Sequence, residues 1–300
     1  MYPSSFATTP SSLFSSIRTS LRPAGLAVRG LVLAALASAL AVPAFAVLPA
    51  YVAVGQAGSV LTSTDGAAWI SRSSGVSSRL RSVASRAGVL VAVGEAGTVL
   101  RSTDGITWSA GASGVVETLR GVVAGPSGFV AVGGRNSSLI LTSADGWTWL
   151  NASAPGLGAL RSVAFSGSRY LAVGSGGTAL TSTDGATWSP VAVGTTQSLD
   201  ATVWTGTTFW VISASGTLRS STSLTKWSVD RISPAAWIEA FTWSDKLLVA
   251  VGGGGTIKTT TDGEKWTSRT SGTAAAMHGV TWTNPSSKTR KSLPSELHFN

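Results

Sequence analysis

One seven-residue motif recurs six times along the chain and constrains the fold more than any other feature of the sequence. The copies read STDGAAW, STDGITW, SADGWTW, STDGATW, STSLTKW and TTDGEKW, and their tryptophans are 39, 41, 39, 39 and 39 residues apart. Self-similarity at a fixed period of about 40 residues is typical of architectures in which one small structural unit is repeated. The sequence therefore predicts six copies of one unit.

Each unit contains four strand-like runs separated by turns that contain glycine, which we label strands a to d. In the fourth copy, strands a to c are expected at residues 160–165, 170–173 and 178–182, and strand d begins at Thr187. Four antiparallel strands in about 40 residues describe one blade of a β-propeller, and six blades close a ring. The predicted fold class is therefore all-β, a six-bladed β-propeller with four-stranded antiparallel blades.

The two ends of the repeat region predict how the ring closes. Residues 51–54 have the pattern of a strand b with no strand a before it, and residues 277–282 have the pattern of a strand a with no strand b after it. Pairing these two strands in one blade removes open sheet edges, which otherwise promote aggregation. We therefore expect one blade to be built from both ends of the chain.

The motif itself is expected to be a structural turn. An Asp carboxylate accepts backbone N–H groups, Gly adopts the left-handed conformation, and Trp fills space between neighbouring blades. The motif residues are Asp65, Asp104, Asp145, Asp184, Asp262, Trp69, Trp108, Trp149, Trp188, Trp227 and Trp266, with Ser223 in place of Asp in the fifth copy. The carboxylates belong to separate blades and cannot converge, so we expect no metal site and no cofactor.

These turns resemble the Asp-box, or BNR-type, repeat of sialidase-like propellers. The whole repeat, with strands such as LRSVA and FVAVG, resembles exported bacterial proteins related to the photosystem II stability/assembly factor, over about 230 of the 300 residues. The resemblance implies a propeller fold. It leaves the function open, because this superfamily includes assembly chaperones and glycosidases and a fold does not determine a function.

The second residue of strand a varies from blade to blade in a frame that is otherwise constant. In chain order the series is Arg81, Arg120, Arg161, Asp200, Glu239 and His278. Three guanidinium groups are suited to bind a carboxylate or a phosphate, and an acid beside a histidine is a candidate proton donor or acceptor. The alternative is that these side chains lie at a rim and form ordinary ion pairs with one another.

Variable residues in the b–c loops are expected on the same face as this series. They are Gln56, Glu95, Arg135, Asn136 and Ser175, and the loop at residues 133–138 is two residues longer than its equivalents. Loops that depart from a constant frame are frequent contact sites. Glu95, Arg135 and Asn136 are therefore candidate ligand-binding residues together with the strand-a series.

The preferred functional hypothesis is a non-catalytic module that binds a protein segment or an anionic ligand on the strand-a face. The alternative is a sialidase-like glycoside hydrolase or a glycan-binding protein, and the enzyme needs a tyrosine nucleophile beside an acid and an arginine triad. Outside the N-terminal segment, only Tyr51 and Tyr170 are available. Both occupy the first position of strand b, which indicates packing, and no catalytic residue is assigned.

The N-terminus has the pattern of an export signal at residues 1–46. Arginines without acidic residues precede an apolar run at residues 31–42, and Ala44-Phe45-Ala46 is a small-x-small cleavage site. This predicts a periplasmic or extracellular protein, with the propeller at residues 47–284 and a flexible basic tail at residues 285–300. Contact with a membrane is expected only if the signal is not cleaved.

Charge and cysteine content limit the other function classes. The formal net charge is +9 and is spread along the chain, which favours a solvated surface over a nucleic-acid interface. The chain has no cysteine, so disulfides and thiolate chemistry are excluded. We expect a monomer without a nucleic-acid partner.

Overall fold

The computed structural model describes residues 48–152, 158–213, 217–231, 238–244, 247–261 and 265–283. In this part of the chain, 24 strands form six sheets of four antiparallel strands each. The sheets are the blades of a six-bladed β-propeller, which confirms the predicted fold class. The described residues contain no helix long and apolar enough to cross a membrane. The predicted signal at residues 1–46 lies outside the described residues.

The strands follow one another blade by blade along the chain. Blade 1 contains β1 (Tyr51–Gly55), β2 (Val60–Ser63) and β3 (Ile70–Arg72), blade 2 contains β4 (Leu80–Arg86), β5 (Val89–Gly94), β6 (Thr98–Ser102) and β7 (Ser109–Ala112), and blade 3 contains β8 (Leu119–Gly125), β9 (Gly128–Gly133), β10 (Leu139–Ser143) and β11 (Leu150–Asn151). Blade 4 contains β12 (Leu160–Phe165), β13 (Tyr170–Gly174), β14 (Ala179–Ser182) and β15 (Ser189–Pro190), blade 5 contains β16 (Leu199–Trp204), β17 (Phe209–Ser213), β18 (Thr217–Ser221) and β19 (Ser228–Arg231), and blade 6 contains β20 (Ile238–Trp243), β21 (Leu248–Gly252), β22 (Ile257–Thr260) and β23 (Thr267–Arg269). The last strand, β24 (Met277–Trp282), is strand a of blade 1.

The ring closes by the predicted pairing of the two ends of the repeat region. Strand β24 is antiparallel to β1, with Tyr51 opposite Trp282 and Val54 opposite Gly279. Each strand a also contacts the strands a of both neighbouring blades, so the six strands a form the innermost layer around the axis. No open edge is left at the junction of the two chain ends.

Antiparallel pairing places different loops at the two ends of the ring. The start of β4 lies opposite the end of β5, so the beginnings of strands a share one end with the b–c loops. The end of β6 lies opposite the start of β5, so the motif turns between strands c and d lie at the other end. We call the first end the bulge face, because the strands a begin there with an irregular pairing, and the second end the turn face.

The core lies in the seams between neighbouring blades. One cluster joins Leu61 and Trp69 of blade 1 to Val249 and Val251 of blade 6. Similar clusters fill four other seams and contain Trp108, Trp149, Trp188 and Trp227, respectively. Fully burying one such aliphatic side chain contributes about 1.5–3 kcal/mol, so the seams hold the ring together.

The motif turns are closed by their own side chains. In blade 4, Asp184 Oδ1 accepts the backbone N–H groups of Ala186 and Thr187, both at 2.8 Å. Gly185 has a φ of 79°, and its carbonyl accepts the indole N–H of Trp188 at 2.9 Å. The turns at Asp65, Asp104 and Asp145 have the same carboxylate bonds, Trp266 is half-buried, and Asp262 lies outside the described residues.

Candidate functional site

Strand a begins with the same irregularity in all six blades. In blade 2, Leu80 pairs with Gly94 and Ser82 pairs with Val93, so Arg81 is an extra residue without a partner in the ladder. The equivalent extra residues are Arg120, Arg161, Asp200, Glu239 and His278. A β-bulge of this kind redirects a side chain from the regular alternation of the strand. These six residues form what we call the bulge ring.

The b–c loops fold over the starts of the strands a. The backbone N–H of Glu95 donates to the carbonyl of Arg79 at 3.0 Å, and that of Gln56 donates to Ala276 at 2.9 Å. In blades 3 and 4, Gly134 and Ser175 make the corresponding bonds, to Thr118 at 3.1 Å and to Ala159 at 2.8 Å. These bonds attach the b–c loops to the same end of the ring as the bulge residues.

Four members of the bulge ring pair with each other between neighbouring blades. Arg161 Nη1 lies 2.9 Å from Asp200 Oδ1, and both side chains are 41% exposed. The Nδ1 atom of His278 is hydrogen bonded to Glu239 Oε2, and the His278 side chain is only 9% exposed. Arg161 and Asp200 thus form an ordinary ion pair of the kind given as the alternative, and Glu239 and His278 are joined by a hydrogen bond.

Arg81 has its counter-ion in a b–c loop. The Glu95 carboxylate accepts a bond from Arg81 Nη2 at 2.7 Å, and Arg79 Nη1 lies 3.5 Å from the same oxygen. This contact joins one residue of the bulge ring to a second predicted candidate. Exposure of 39% for the Glu95 side chain leaves the pair open to solvent on one side.

Arg120 is the member of the ring that lacks a counter-ion. The half-buried Arg120 forms no ion pair with any residue that the structure describes, and its buried Nε atom has no hydrogen-bond partner. Burial lowers the pKa of the Arg120 guanidinium, the charges of Arg81 and Arg161 lower it further, and Glu95 opposes them. Because an arginine stays protonated in proteins, the site keeps an uncompensated positive charge.

The remaining candidates, Arg135 and Asn136, lie exposed in the longer b–c loop of blade 3. That loop is attached beside Thr118, two residues before Arg120. The structure thus brings the loop to the same side of the ring as Arg120. Gln56 is also exposed, and Ser175 is half-buried at the equivalent turn of blade 4.

The tyrosines lie at the opposite end of the ring from the arginines. Tyr51 and Tyr170 begin strands β1 and β13, at the turn face, and both are buried. The Tyr51 hydroxyl donates to Ser244 Oγ at 2.8 Å, and burial raises the pKa of both phenols. A sialidase-type set, which needs a tyrosine beside the arginines, is not assembled from these two residues.

Carboxylates and histidine do not gather elsewhere in the described part of the chain. No group of three His, Asp or Glu side chains placed to hold a metal ion occurs among these residues. The turn carboxylates of Asp65, Asp104, Asp145 and Asp184 belong to four different blades. The bulge face is therefore the candidate site, and its chemistry is that of charge pairing.

The fold and this face define a six-bladed β-propeller with a ring of charged residues at one mouth. No family model matches the sequence, and no curated protein matches it. Among solved structures, YCF48 bound to a D1 peptide is 22% identical, with 76% of this chain and 82% of that chain covered and a TM-score of 0.50. A chain of a nidogen/laminin complex is 13% identical (80% and 83% covered, TM-score 0.50), and the Myceliophteria thermophila Cps50 (Swd1) propeller domain is 11% identical (79% and 87% covered, TM-score 0.51). At these identities the similarity concerns the fold alone.

Proposed function

We propose that this chain is an exported, non-catalytic propeller that binds an acidic protein segment on its bulge face. The observation that carries the proposal is Arg120, a half-buried guanidinium that lies between two other arginines and has no counter-ion among the described residues. A partly desolvated charge without a partner is unfavourable, so an anionic ligand that supplies the partner gains affinity from this arrangement.

The distribution of the other charges favours binding over catalysis. Asp200 and Glu239, the acids of the ring, are already paired with Arg161 and His278. A proton donor or acceptor has to reach a substrate, whereas Asp200 is bonded to Arg161 and Glu239 to His278. Binding by Arg120 requires no rearrangement of those pairs.

A protein segment is the preferred class of ligand. YCF48, which shares the fold, has a structure with a D1 peptide bound, and a propeller mouth presents many loops to an extended segment. The proposal also includes export, on the basis of the signal pattern at residues 1–46. An exported partner in the cell envelope is then the expected source of the segment.

The test is an affinity capture from the envelope fraction of the host, with three forms of residues 47–300 as bait. They are the wild type, Arg120→Gln, and Arg169→Gln as a charge-matched control, because Arg169 is exposed between strands a and b on the turn face. We expect the wild type and Arg169→Gln to retain the same protein and Arg120→Gln to retain at least about tenfold less. Equal capture by all three baits contradicts the proposal.

A further inference from the structure

We propose that Glu95 is a built-in competitor for the carboxylate that the bulge ring binds. The inference rests on the proposed function and adds two things to it, the chemical group that is recognised and a residue that regulates its binding. In the structure, Glu95 Oε1 accepts a hydrogen bond from Arg81 Nη2 at 2.7 Å and lies 3.5 Å from Arg79 Nη1. A carboxylate from this chain thus takes the place that a ligand carboxylate would take on Arg81.

The charge of Glu95 also reaches the free arginine. Glu95 is one of the charges that act on Arg120, where it opposes the effects of Arg81 and Arg161. A ligand that displaces Glu95 from Arg81 therefore gains two adjacent guanidinium groups, those of Arg81 and Arg120. Two such groups bind a carboxylate more strongly than one.

The competition is weak enough to be overcome. Glu95 is 39% exposed and Arg81 24% exposed, and ion pairs at partly exposed positions typically contribute about 0.2–1 kcal/mol. A site blocked by such a contact has an apparent affinity reduced by the fraction of molecules in which the contact is open. Glu95 then lowers the affinity for anions without abolishing binding.

The equivalent positions in other blades show that the carboxylate is not required for the turn. The first residue of the b–c loop is Gln56 in blade 1 and Ser175 in blade 4, and both donate the same backbone hydrogen bond as Glu95. The turn of blade 1 has a φ of 53° at Ala57, and that of blade 2 has 52° at Ala96. Among the described b–c loops, an acid occurs at this position only in blade 2, whose bulge residue is Arg81, the first of the three arginines.

The experiment is calorimetric titration of the purified protein with citrate, a carboxylate probe, at pH 7 and low ionic strength. Glu95→Gln reproduces the residue of blade 1 and Glu95→Ser that of blade 4, so both are expected to fold. Glu117→Gln is the charge-matched control, because Glu117 is exposed on the same face and forms no ion pair with the described residues. We expect both Glu95 variants to bind citrate about two- to fivefold more tightly than the wild type, and Glu117→Gln to bind as the wild type does.

The outcomes separate this inference from the proposed function. Suppose that citrate binds, that Arg120→Gln removes the binding, and that the Glu95 variants gain no more affinity than Glu117→Gln. Any gain in citrate affinity then follows from net charge, and the competitor role of Glu95 is wrong. If no variant binds citrate, both the carboxylate site and the competitor are wrong. A gain confined to the Glu95 variants supports the inference.

Discussion

At the scale of single residues, the repeat contains two kinds of polar side chain, which differ in where their bonding partners lie. The turn carboxylates form their hydrogen bonds within their own turn, as Asp184 accepts two backbone N–H groups from residues within three positions of itself. The residues of the bulge ring have no local backbone partner, and the side-chain bonds of the five members other than Arg120 go to neighbouring blades or to a b–c loop. The first kind of position stays nearly constant along the chain, whereas the second differs in charge from blade to blade.

The local bonds of Asp184 make a prediction about pH. Its pKa is lowered to about 2, chiefly by the N–H groups of Thr187 and Ala186, from an ordinary value of about 3.9. A carboxyl group with a depressed pKa in the folded state stabilises the protein above the unfolded-state pKa and loses this effect as the pH falls through about 2. Because Asp184 is exposed and solvent weakens its interactions, we expect Asp184→Asn to lower the free energy of unfolding in urea by no more than about 1 kcal/mol at pH 7. The loss of stability relative to the wild type is expected to shrink as the pH falls from 4 to 2.

The control for this prediction is Asp200→Asn, which removes a carboxylate that has no turn to close. Its effect on the free energy of unfolding at pH 7 is expected to be smaller, because an exposed ion pair contributes little. A difference between Asp184→Asn and wild type that stays the same from pH 7 to pH 2 would show that the carboxylate charge does not stabilise this turn.

At the scale of secondary-structure elements, the strands a approach one another closely around the axis. A Cβ atom on Gly279 would lie 2.8 Å from the Cα atom of Ser82 in the next blade. In another seam, the Ser82 hydroxyl accepts the backbone N–H of Val122 at 3.2 Å. Small residues after the bulge thus let neighbouring strands meet, and a hydroxyl satisfies a backbone donor that has no ladder partner.

This close approach predicts a large effect of one added methyl group. We expect Gly279→Ala to lower the free energy of unfolding by about 1–3 kcal/mol, because the contact is with backbone that cannot turn away. Gly111→Ala is the matched control in strand β7, since its Cβ atom would meet nothing nearer than 3.4 Å. Urea unfolding of both variants provides the measurement, and equal stabilities would show that the strands a are not in tight contact.

The strand positions follow from the sequence pattern more fully than the site does. Strand a of blade 4 occupies the predicted residues, but strand d begins at Ser189 rather than Thr187, because the N–H of Thr187 is bonded to Asp184. The bulges were not predicted, although the sequence carries a signal for them: the adjacent polar residues Arg81 and Ser82 interrupt the alternation at the start of strand β4. The contact between Glu95 and Arg81 depends on a loop folding back over a strand, which spacing alone does not reveal.

At the scale of the whole molecule, the ring depends on a strand that comes from the far end of the chain. Strand β24 supplies Met277 and Val280 to the seam between blades 6 and 1, where they are 0% and 7% exposed, and it supplies His278 to the bulge ring. It also covers the edge of β1. Closure therefore couples the core, the sheet edges and the candidate site.

Truncation of the C-terminus tests this coupling. A chain that stops at Thr283 keeps every described strand, and we expect its Tm to equal that of the full chain. A chain that stops at Ala276 lacks β24 and leaves β1 with an open edge. It also loses the buried side chains of Met277 and Val280, each expected to contribute about 1.5–3 kcal/mol. We expect its Tm to fall by more than about 10 °C and the protein to aggregate as its concentration rises. Equal melting of the two truncated chains, measured by circular dichroism, would mean that the ring is stable without closure, because the only structural difference between them is the strand that joins its ends.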